Sequence, residues 1–173
     1  MLFVMRKNFL TSVILIIALT SSFGQTRKER KAMYDSQYNY EIACLGVGQD
    51  GTKLLKVWGY GKKVDNAIYD AKRTAVAAVI FRGVPAGNGA APTPSILPVD
   101  GYDQHLDFFD DFFKDGGMYL SFINLTTDGT PGGSDNIRMS HGYKVAVSAS
   151  VNFNALRKYL EEKGVAKRMD SGF

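Results

Sequence analysis

The apolar and polar positions along the chain follow two different periods, which separate strands from helices. Two apolar runs, 41–47 and 53–60, flank a group of turn formers and predict a β-hairpin. From Val64 to Val79 apolar residues recur at helical spacing, and Gly83 lies just past the expected helix end. The helix stripe is rich in Ala, whose small side chain permits close approach, so we expect this helix to lie tightly across a sheet.

The second half of the chain has shorter elements. Residues 105–114 combine large apolar side chains with Asp at the spacing of a short amphipathic helix. Residues 118–125 form an apolar run that predicts a strand. The strict alternation of residues 143–151 predicts a long, half-buried strand with an antiparallel neighbour. Asn154 is expected to cap a last helix, which Gly164 closes.

Two Gly- and Pro-rich stretches without periodicity, 85–103 and 126–141, predict long surface loops. Loops of this length in a small domain are functional or mobile. The predicted order of elements is strand, strand, helix, short helix, strand, strand, helix. The economical fold for this order is an α+β domain, in which two main helices pack on one face of an antiparallel sheet of about four strands, with one short aromatic helix in addition.

Residues 1–24 have the three-part pattern of a cleavable secretory signal. Arg6 and Lys7 give a positive start, and residues 9–18 are mostly apolar but too short to span a bilayer comfortably. Small residues before Gln25 suit a signal peptidase, and an uncleaved anchor is the alternative. No Cys follows the apolar run, so the pattern for bacterial lipid attachment is missing. The sequence therefore predicts an exported protein, periplasmic or associated with the outer membrane.

The rest of the chain divides into a basic, polar leader, 25–40, and a single domain, 41–173. We expect the leader to be solvated or a short helix, and peripheral membrane association of its bases is a weaker alternative. Removal of residues 1–24 would reduce the net charge from +4 to +2, which excludes the basic footprint of a nucleic-acid-binding protein. Cys44 is the only cysteine, so the fold depends on its core, and we expect a buried thiol and not a nucleophile.

Two glycine motifs lie near the predicted hairpin. Residues 46–51 match the dinucleotide-binding pattern GxGxxG, but that site needs a helix directly after the loop, and the next segment is strand-like. Residues 59–63, Gly-Tyr-Gly-Lys-Lys, lie between a strand and a helix, where an anion could meet the helix N-terminus. Hinge glycines are the simpler interpretation of this motif. We therefore predict no bound cofactor.

Histidine and aspartate residues provide the candidates for ligand binding. The chain has two histidines, His105 and His141, and neither is matched in the sequence to a particular nucleophile. Four carboxylates near His105 could hold a cation, as could Asp128 with Asp135 in the second loop, although solvated faces are the commoner role. The four are Asp103, Asp107, Asp110 and Asp111. We predict no metal site and no catalytic set.

The short aromatic helix carries more large side chains than one face needs. Leu106, Phe109 and Phe113 can share one face, which leaves Phe108 and Phe112 for a second face. Either both faces are covered within the domain, or the second face meets a partner. Phe108 and Phe112 are therefore the candidate partner-binding residues.

One part of the sequence resembles a group of bacterial envelope proteins. The strand end Val57-Trp58-Gly59-Tyr60-Gly61 and the Ala-rich segment 66–76 follow the order G-x-G, A-x-x-x-A, A-V. The segments 145–148 and 154–160 look like the strand and helix that complete the same domain. This pattern is similar to the N-terminal domain of flagellar assembly protein T and to related small-lipoprotein and curli-secretion accessory families.

The resemblance covers roughly residues 41–84 and 143–165 and rests on packing residues. It implies a periplasmic or outer-membrane-associated structural module, and no catalytic residues carry over from it. The two long loops and the aromatic helix depart from the family pattern, as does the missing lipid-anchoring Cys.

These features together predict a non-enzymatic envelope domain that binds a protein partner or a copy of itself. The alternative is a secreted ligand-binding protein or hydrolase with a site between the loops 85–104 and 126–142. The residues of that alternative site are Asp103, His105, Asp128 and His141.

Overall fold

The computed structural model describes residues 41–98, 100–126 and 131–168, which belong to one compact unit of the chain. The predicted signal peptide and leader lie outside the described residues. Five strands form an antiparallel sheet: β1 (Ile42–Val47), β2 (Thr52–Gly61), β3 (Ile123–Leu125), β4 (Asn136–Met139) and β5 (Gly142–Asn152). The order across the sheet is β1-β2-β5-β3, and β4 pairs with β5 along the same edge as β3.

Within the described residues, four helices accompany the sheet: α1 (Val64–Phe81), α2 (Gly101–Gln104), α3 (Leu106–Phe112) and α4 (Phe153–Glu162). The same part of the chain contains three short 3₁₀ turns, at Gln49–Gly51, Met118–Phe122 and Gly133–Asp135. The predicted α+β class is confirmed, with one more strand than the sequence pattern indicates. Within the described ranges, no helix is both long and apolar enough to cross a membrane.

The first hairpin forms where the apolar runs predict it. β1 pairs with β2 antiparallel, with one bulge between Cys44 and Gly46. Asp50 and Gly51 turn the chain with positive φ angles of 56° and 74°. β2 follows directly, so no helix N-terminus stands behind the GxGxxG pattern and the dinucleotide site is excluded. Cys44 is buried, as predicted.

α1 lies across the inner face of the sheet, which is the face of Leu55, Val57 and Gly59. The Ala residues of its stripe are buried, among them Ala67 and Ala71. A side chain at Gly59 would collide with the Ala67 carbonyl oxygen and the Ala71 amide nitrogen. The predicted close contact between helix and sheet is confirmed, and this glycine makes it possible.

An aromatic cluster from α2, α3 and the turn Met118–Phe122 fills the core beside the end of α1. Phe109 is fully buried at its centre, with its ring centroid 4.9 Å from that of Phe81 and 6.0 Å from that of Phe113. The Tyr102 ring stacks on Phe109 at 5.9 Å. These rings extend the core beyond the area that the sheet itself covers.

The second face of α3 is covered within the domain. The Phe112 ring stacks on Tyr159 of α4, at 6.0 Å, and on Phe122, at 6.2 Å. Phe112 is only 2% exposed, which corrects its assignment as a partner-binding residue. Phe108 is half-buried and stacks on Phe112 at 5.6 Å, so it presents only part of its ring to solvent.

Two predicted segments of the second half need correction. Residues 118–122 form a 3₁₀ turn that buries Tyr119 and Phe122, and only the last three residues of the predicted strand pair as β3. The predicted loop 126–141 contains β4. This strand has no strong pattern of its own and is fixed by its pairing with β5.

The last helix starts two residues earlier than predicted. Asn152 caps α4, because its side chain accepts a hydrogen bond from the Ala155 amide at 3.0 Å. Asn154 instead donates to the Asp50 carbonyl oxygen at 2.8 Å and joins the helix start to the first hairpin turn. Gly164 follows the helix with a φ of 72°, as expected of a residue that closes it.

The first predicted loop contains a two-residue hairpin. Asn88 and Gly89 have positive φ angles of 45° and 78°, and Gly87 and Ala90 exchange backbone hydrogen bonds across them. The Asn88 side chain donates to the Leu45 carbonyl oxygen of the edge strand β1 at 3.1 Å. This contact covers part of the edge of β1.

Candidate functional site

The outer face of the sheet, opposite α1, carries a row of large side chains beside a row of small ones. The large row on β2 consists of Leu54, Lys56, Trp58 and Tyr60. The small row on β5 consists of Ser150, Ser148 and Ala146, which stand opposite Leu54, Lys56 and Trp58. Alternation along the strands separates both rows from the core residues of the inner face.

Two lysines lie near the ring of Trp58, the single tryptophan of the chain. Lys144 Nζ is 4.8 Å from the ring centroid and forms an ion pair with Glu41 at 2.6 Å. Lys56 Nζ is 5.9 Å from the same ring and forms an ion pair with Asp135 at 2.7 Å. Both distances permit cation–π attraction. The two ion pairs balance the lysine charges at the centre of the outer face.

The Lys144–Glu41 pair fixes a side chain across β2. The hydrogen bond to Glu41 raises the pKa of Lys144, against a smaller effect of desolvation in the other direction. Tyr60 contributes in the same direction as Glu41, and its ring lies 5.6 Å from Lys144 Nζ. Lys144 is therefore charged at neutral pH and extends from β5 to the residue before β1.

Exposed apolar side chains surround these ion pairs. Tyr60, Ile137 and Met139 are 46%, 43% and 47% exposed. None of them belongs to the hydrophobic core cluster formed by the described residues, and neither does Trp58. Ala146 also points outward, opposite Trp58, but it is only 2% exposed. The outer face therefore has a half-buried aromatic centre with exposed apolar side chains beside it, and exposed apolar patches mark interaction sites.

An open depression of about 450 Å³ adjoins the outer face at the end of β2. Tyr60 and Met139 belong to both, and Lys62 and His141 line the rest of the depression. His141 Nδ1 lies 3.0 Å from Ser140 Oγ, and both side chains are exposed. Activation of a serine requires a desolvated base that a third group orients, and two adjacent exposed residues do not provide it. The depression offers polar contacts at the rim of the outer face.

A half-buried carboxylate fixes the backbone of Tyr60. Asp70 of α1 accepts a hydrogen bond from the Tyr60 amide at 2.9 Å. Burial raises the pKa of Asp70, although the Tyr60 amide and the charge of Arg73 lower it in part. The contact holds the end of β2 on the helix layer and so positions the outward side chain of Tyr60.

The Asp70→Asn variant is expected to be more stable than the parent protein at neutral pH. Asn can accept the same hydrogen bond from Tyr60 and has no charge to desolvate. Burial raises the pKa of Asp70 in the folded state, so the parent protein loses stability as the pH rises through that pKa and the carboxyl group becomes charged. The stability advantage of the variant should therefore shrink when the pH is lowered and Asp70 is protonated. Urea denaturation over a pH series measures this difference.

Asp65→Asn is the matched control, since Asp65 is exposed in the first turn of the same helix. It removes one negative charge without removing a desolvated carboxylate. A stability gain of Asp70→Asn that grew towards acidic pH would contradict the assigned role of burial. The same gain in Asp65→Asn would also contradict it.

The residues of the alternative ligand site do not come together. Asp103 lies in α2 and His105 between α2 and α3, whereas His141 lies in the turn between β4 and β5. Asp128 lies outside the described residues. His141 alone reaches the surface described above, at its rim.

The two predicted loops lie at different edges of the sheet. Asn88 of the first loop contacts β1, while residues 136–139 of the second pair with β5, and β2 lies between β1 and β5. The described residues therefore do not form the predicted site between the loops 85–104 and 126–142.

The carboxylates of the aromatic helix do not converge on a cation site. The Tyr102 hydroxyl donates to Asp110 at 3.3 Å, and Lys114 forms an ion pair with Asp111 at 2.6 Å. Asp135 pairs with Lys56. Across residues 41–98, 100–126 and 131–168, no three His, Cys, Asp or Glu side chains are grouped to hold a metal ion.

Trp58 and Lys144 are the central site residues that the sequence pattern did not single out. A signal was present in β2, where Trp58 and Tyr60 alternate with Val57 and Gly59 and so share one face. The neighbour of that face, β5, is far away in sequence. Pairing of β2 with β5 brings Lys144 opposite Tyr60, and local periodicity cannot indicate such a pairing.

Comparison with known proteins identifies no relative. The chain matches no protein-family model, and neither a curated protein nor a solved structure shows a significant match to it. The resemblance to envelope modules described above stays a prediction. A function for this protein is therefore inferred from its own residues.

Proposed function

We propose that the protein is an exported, non-enzymatic binding domain of the bacterial cell envelope, in the periplasm or at the outer membrane. The signal pattern of residues 1–24 supports export, and the resemblance of residues 57–76 to envelope modules supports the location. The outer face of the sheet is the binding surface, for a protein partner or a second copy of the chain. Among the described residues, the long helix α1 packs against the opposite, inner face of the sheet.

The half-buried Trp58 and the exposed apolar side chains around it carry this proposal. A single exposed apolar residue needs no explanation, but Trp58 and Tyr60 share one surface with the exposed Ile137 and Met139. Trp and Tyr are enriched at the positions that dominate the energy of protein interfaces. The neighbouring ion pairs already restrain the two lysines, so less conformational freedom is lost when a partner binds.

Photo-cross-linking in the native cell tests this surface. A photoreactive phenylalanine analogue in place of Tyr60 is expected to give a discrete covalent adduct in the envelope fraction. The same analogue in place of Tyr69 is the matched control, because Tyr69 is also exposed and also lies near a lysine, at 5.4 Å from Lys72 Nζ. Tyr69 belongs to α1, away from the outer face, and is expected to give no adduct.

Three results would count against the proposal. One is recovery of the protein from the cytosol instead of the envelope. Another is the absence of an adduct from position 60 in cells that export the protein. Equal adducts from positions 60 and 69 would also show that the outer face has no special role.

A further inference from the structure

We propose that a proline-lined cavity beside β1 binds a segment of the same chain, residues 34–40, with the Tyr40 ring between its prolines. This cavity is separate from the outer face, so the proposal does not depend on the proposed function. The walls of the cavity, the path of the chain before β1 and the composition of residues 34–40 support it.

The proline-lined cavity lies where the end of α1 meets the edge strand β1. It is open to solvent, has a volume of about 570 Å³ and is lined by Ile42 and by residues of the segments 82–85 and 92–94. The lining includes three exposed prolines, Pro85, Pro92 and Pro94. This volume is within the usual range of protein binding sites.

Backbone hydrogen bonds fix the walls of this cavity. Val84 and Thr93 exchange two of them, at 2.8 Å from the Val84 amide and at 2.9 Å from the Thr93 amide. The Leu97 amide donates to the Ile80 carbonyl oxygen at 2.9 Å and ties the loop to α1. The proline rings restrict the backbone further. The cavity is therefore preformed, and its walls lose little conformational freedom when it is filled.

The residues before β1 are prevented from continuing along β2. The Trp58 amide donates to the Glu41 carbonyl oxygen at 3.0 Å, so pairing with β2 extends to the residue before β1. The next amide on the same edge of β2 is that of Tyr60, and it donates to Asp70 of α1 at 2.9 Å. The next pairing position is thus occupied, and we expect the chain to leave the sheet edge near residue 40.

Glu41 and Ile42 indicate the side on which Tyr40 leaves the sheet. The Glu41 side chain reaches Lys144 on the outer face, whereas Ile42 stands opposite the inner-face residue Val57. Alternation then places Tyr40 on the side of Ile42, which lines the cavity. Two residues span at most about 7 Å, so the Tyr40 ring begins beside the cavity. Its attachment to the domain also gives it a high effective concentration there.

The composition of residues 34–40 suits the lining of the cavity. The segment has three large side chains, all tyrosines, and its other residues are polar. A tyrosine ring can pack its apolar body against proline rings while its hydroxyl stays in water. The segment has no basic residue, so it brings no like charge to Arg82, which is exposed at the cavity.

Cross-linking within the purified, exported protein tests this contact. A photoreactive phenylalanine analogue in place of Tyr40 is expected to link to the tryptic peptide 83–114, with the link among residues 83–94. The analogue in place of Tyr60 is the matched control. Tyr60 is 46% exposed but lies on the outer face, so it should give no link to residues 83–94.

A double-mutant cycle tests whether the Tyr40 ring fills the cavity. Tyr40→Ala and Pro94→Ala are each expected to lower the free energy of unfolding in urea, and the double variant should lose less than the sum of the two. Pro94 is exposed, so its variant is expected to fold. Tyr69→Ala with Pro94→Ala is the control pair, and its losses should add, because Tyr69 lies in the first half of α1.

Each outcome decides the proposal. Links from position 40 to residues 83–94, together with losses that do not add, would support it. Links only to other parts of the chain, no links at all, or additive losses would overturn it. Links from position 40 only to another protein would also overturn it and would assign the segment to an external partner. The outer face is tested separately, by the adducts from position 60 in the cell.

Discussion

Gly59→Ala is expected to destabilise the domain by roughly 3 kcal/mol or more, the upper part of the range for overpacked cores. The added Cβ would meet the Ala67 carbonyl oxygen and the Ala71 amide nitrogen. These are backbone atoms of α1, and a rotamer change cannot move them away. The helix would have to lift from the sheet, which would open the contact on which the inner face depends.

Equilibrium urea denaturation followed by circular dichroism measures this loss, or shows that the variant does not fold. Gly132→Ala is the matched control, because no atom lies within 4 Å of its added Cβ and its φ is −123°. An Ala at position 59 that cost no more than the control would falsify the close helix–sheet contact.

Phe109→Ala is expected to cost about 3–5 kcal/mol of unfolding free energy, the range for removal of a buried phenylalanine ring. Phe109 has no exposed surface, and its ring contacts the rings of Phe81, Tyr102 and Phe113. These neighbours are large and planar, so they cannot collapse easily into the cavity. The variant is expected to lose the packing of α2 and α3 against α1.

Tyr69→Ala provides the comparison for Phe109→Ala, since Tyr69 is 55% exposed on α1. Its effect should stay within about 0.5 kcal/mol. The urea concentrations at the unfolding midpoint distinguish the two variants, provided that the unfolding free energy depends on urea concentration with the same slope in both. Similar losses for both substitutions would mean that the aromatic cluster does not carry the core at this end of the domain.

Elements with a strong local period could be predicted from the sequence. The helix stripe from Val64 onwards appears as α1, and the alternation of residues 143–151 appears as β5. Gly83, with a φ of 85°, ends the α1 segment as expected. In these segments the local pattern and the tertiary contacts favour the same structure.

Elements that depend on distant partners could not be predicted. β4 has four residues and exists because β5 pairs with it. The apolar run at 118–122 suits a strand by composition, yet burial of Tyr119 and Phe122 in the aromatic cluster favours a 3₁₀ turn. Asn88-Gly89 is a known hairpin signal, but its flanking Gly and Ala residues do not indicate strands.

The candidate site was predictable only in part. Phe108 and Phe112 were the apolar surplus in the sequence, and a local pattern cannot show that Tyr159 of α4 covers Phe112. For the outer face, the local pattern is informative but the arrangement of the strands is not. Each strand shows which residues share a face, but the sheet order that assembles Trp58 and Lys144 into one surface arises from long-range pairing.

The contact of Asn88 with the edge of β1 also limits how this protein can assemble. A bare edge strand accepts further strands without end, which is the route to filaments and aggregates. Here the Asn88 amide occupies the Leu45 carbonyl oxygen, so strand addition at this edge is hindered. This one side-chain contact therefore works against open-ended growth of fibres from the β1 edge.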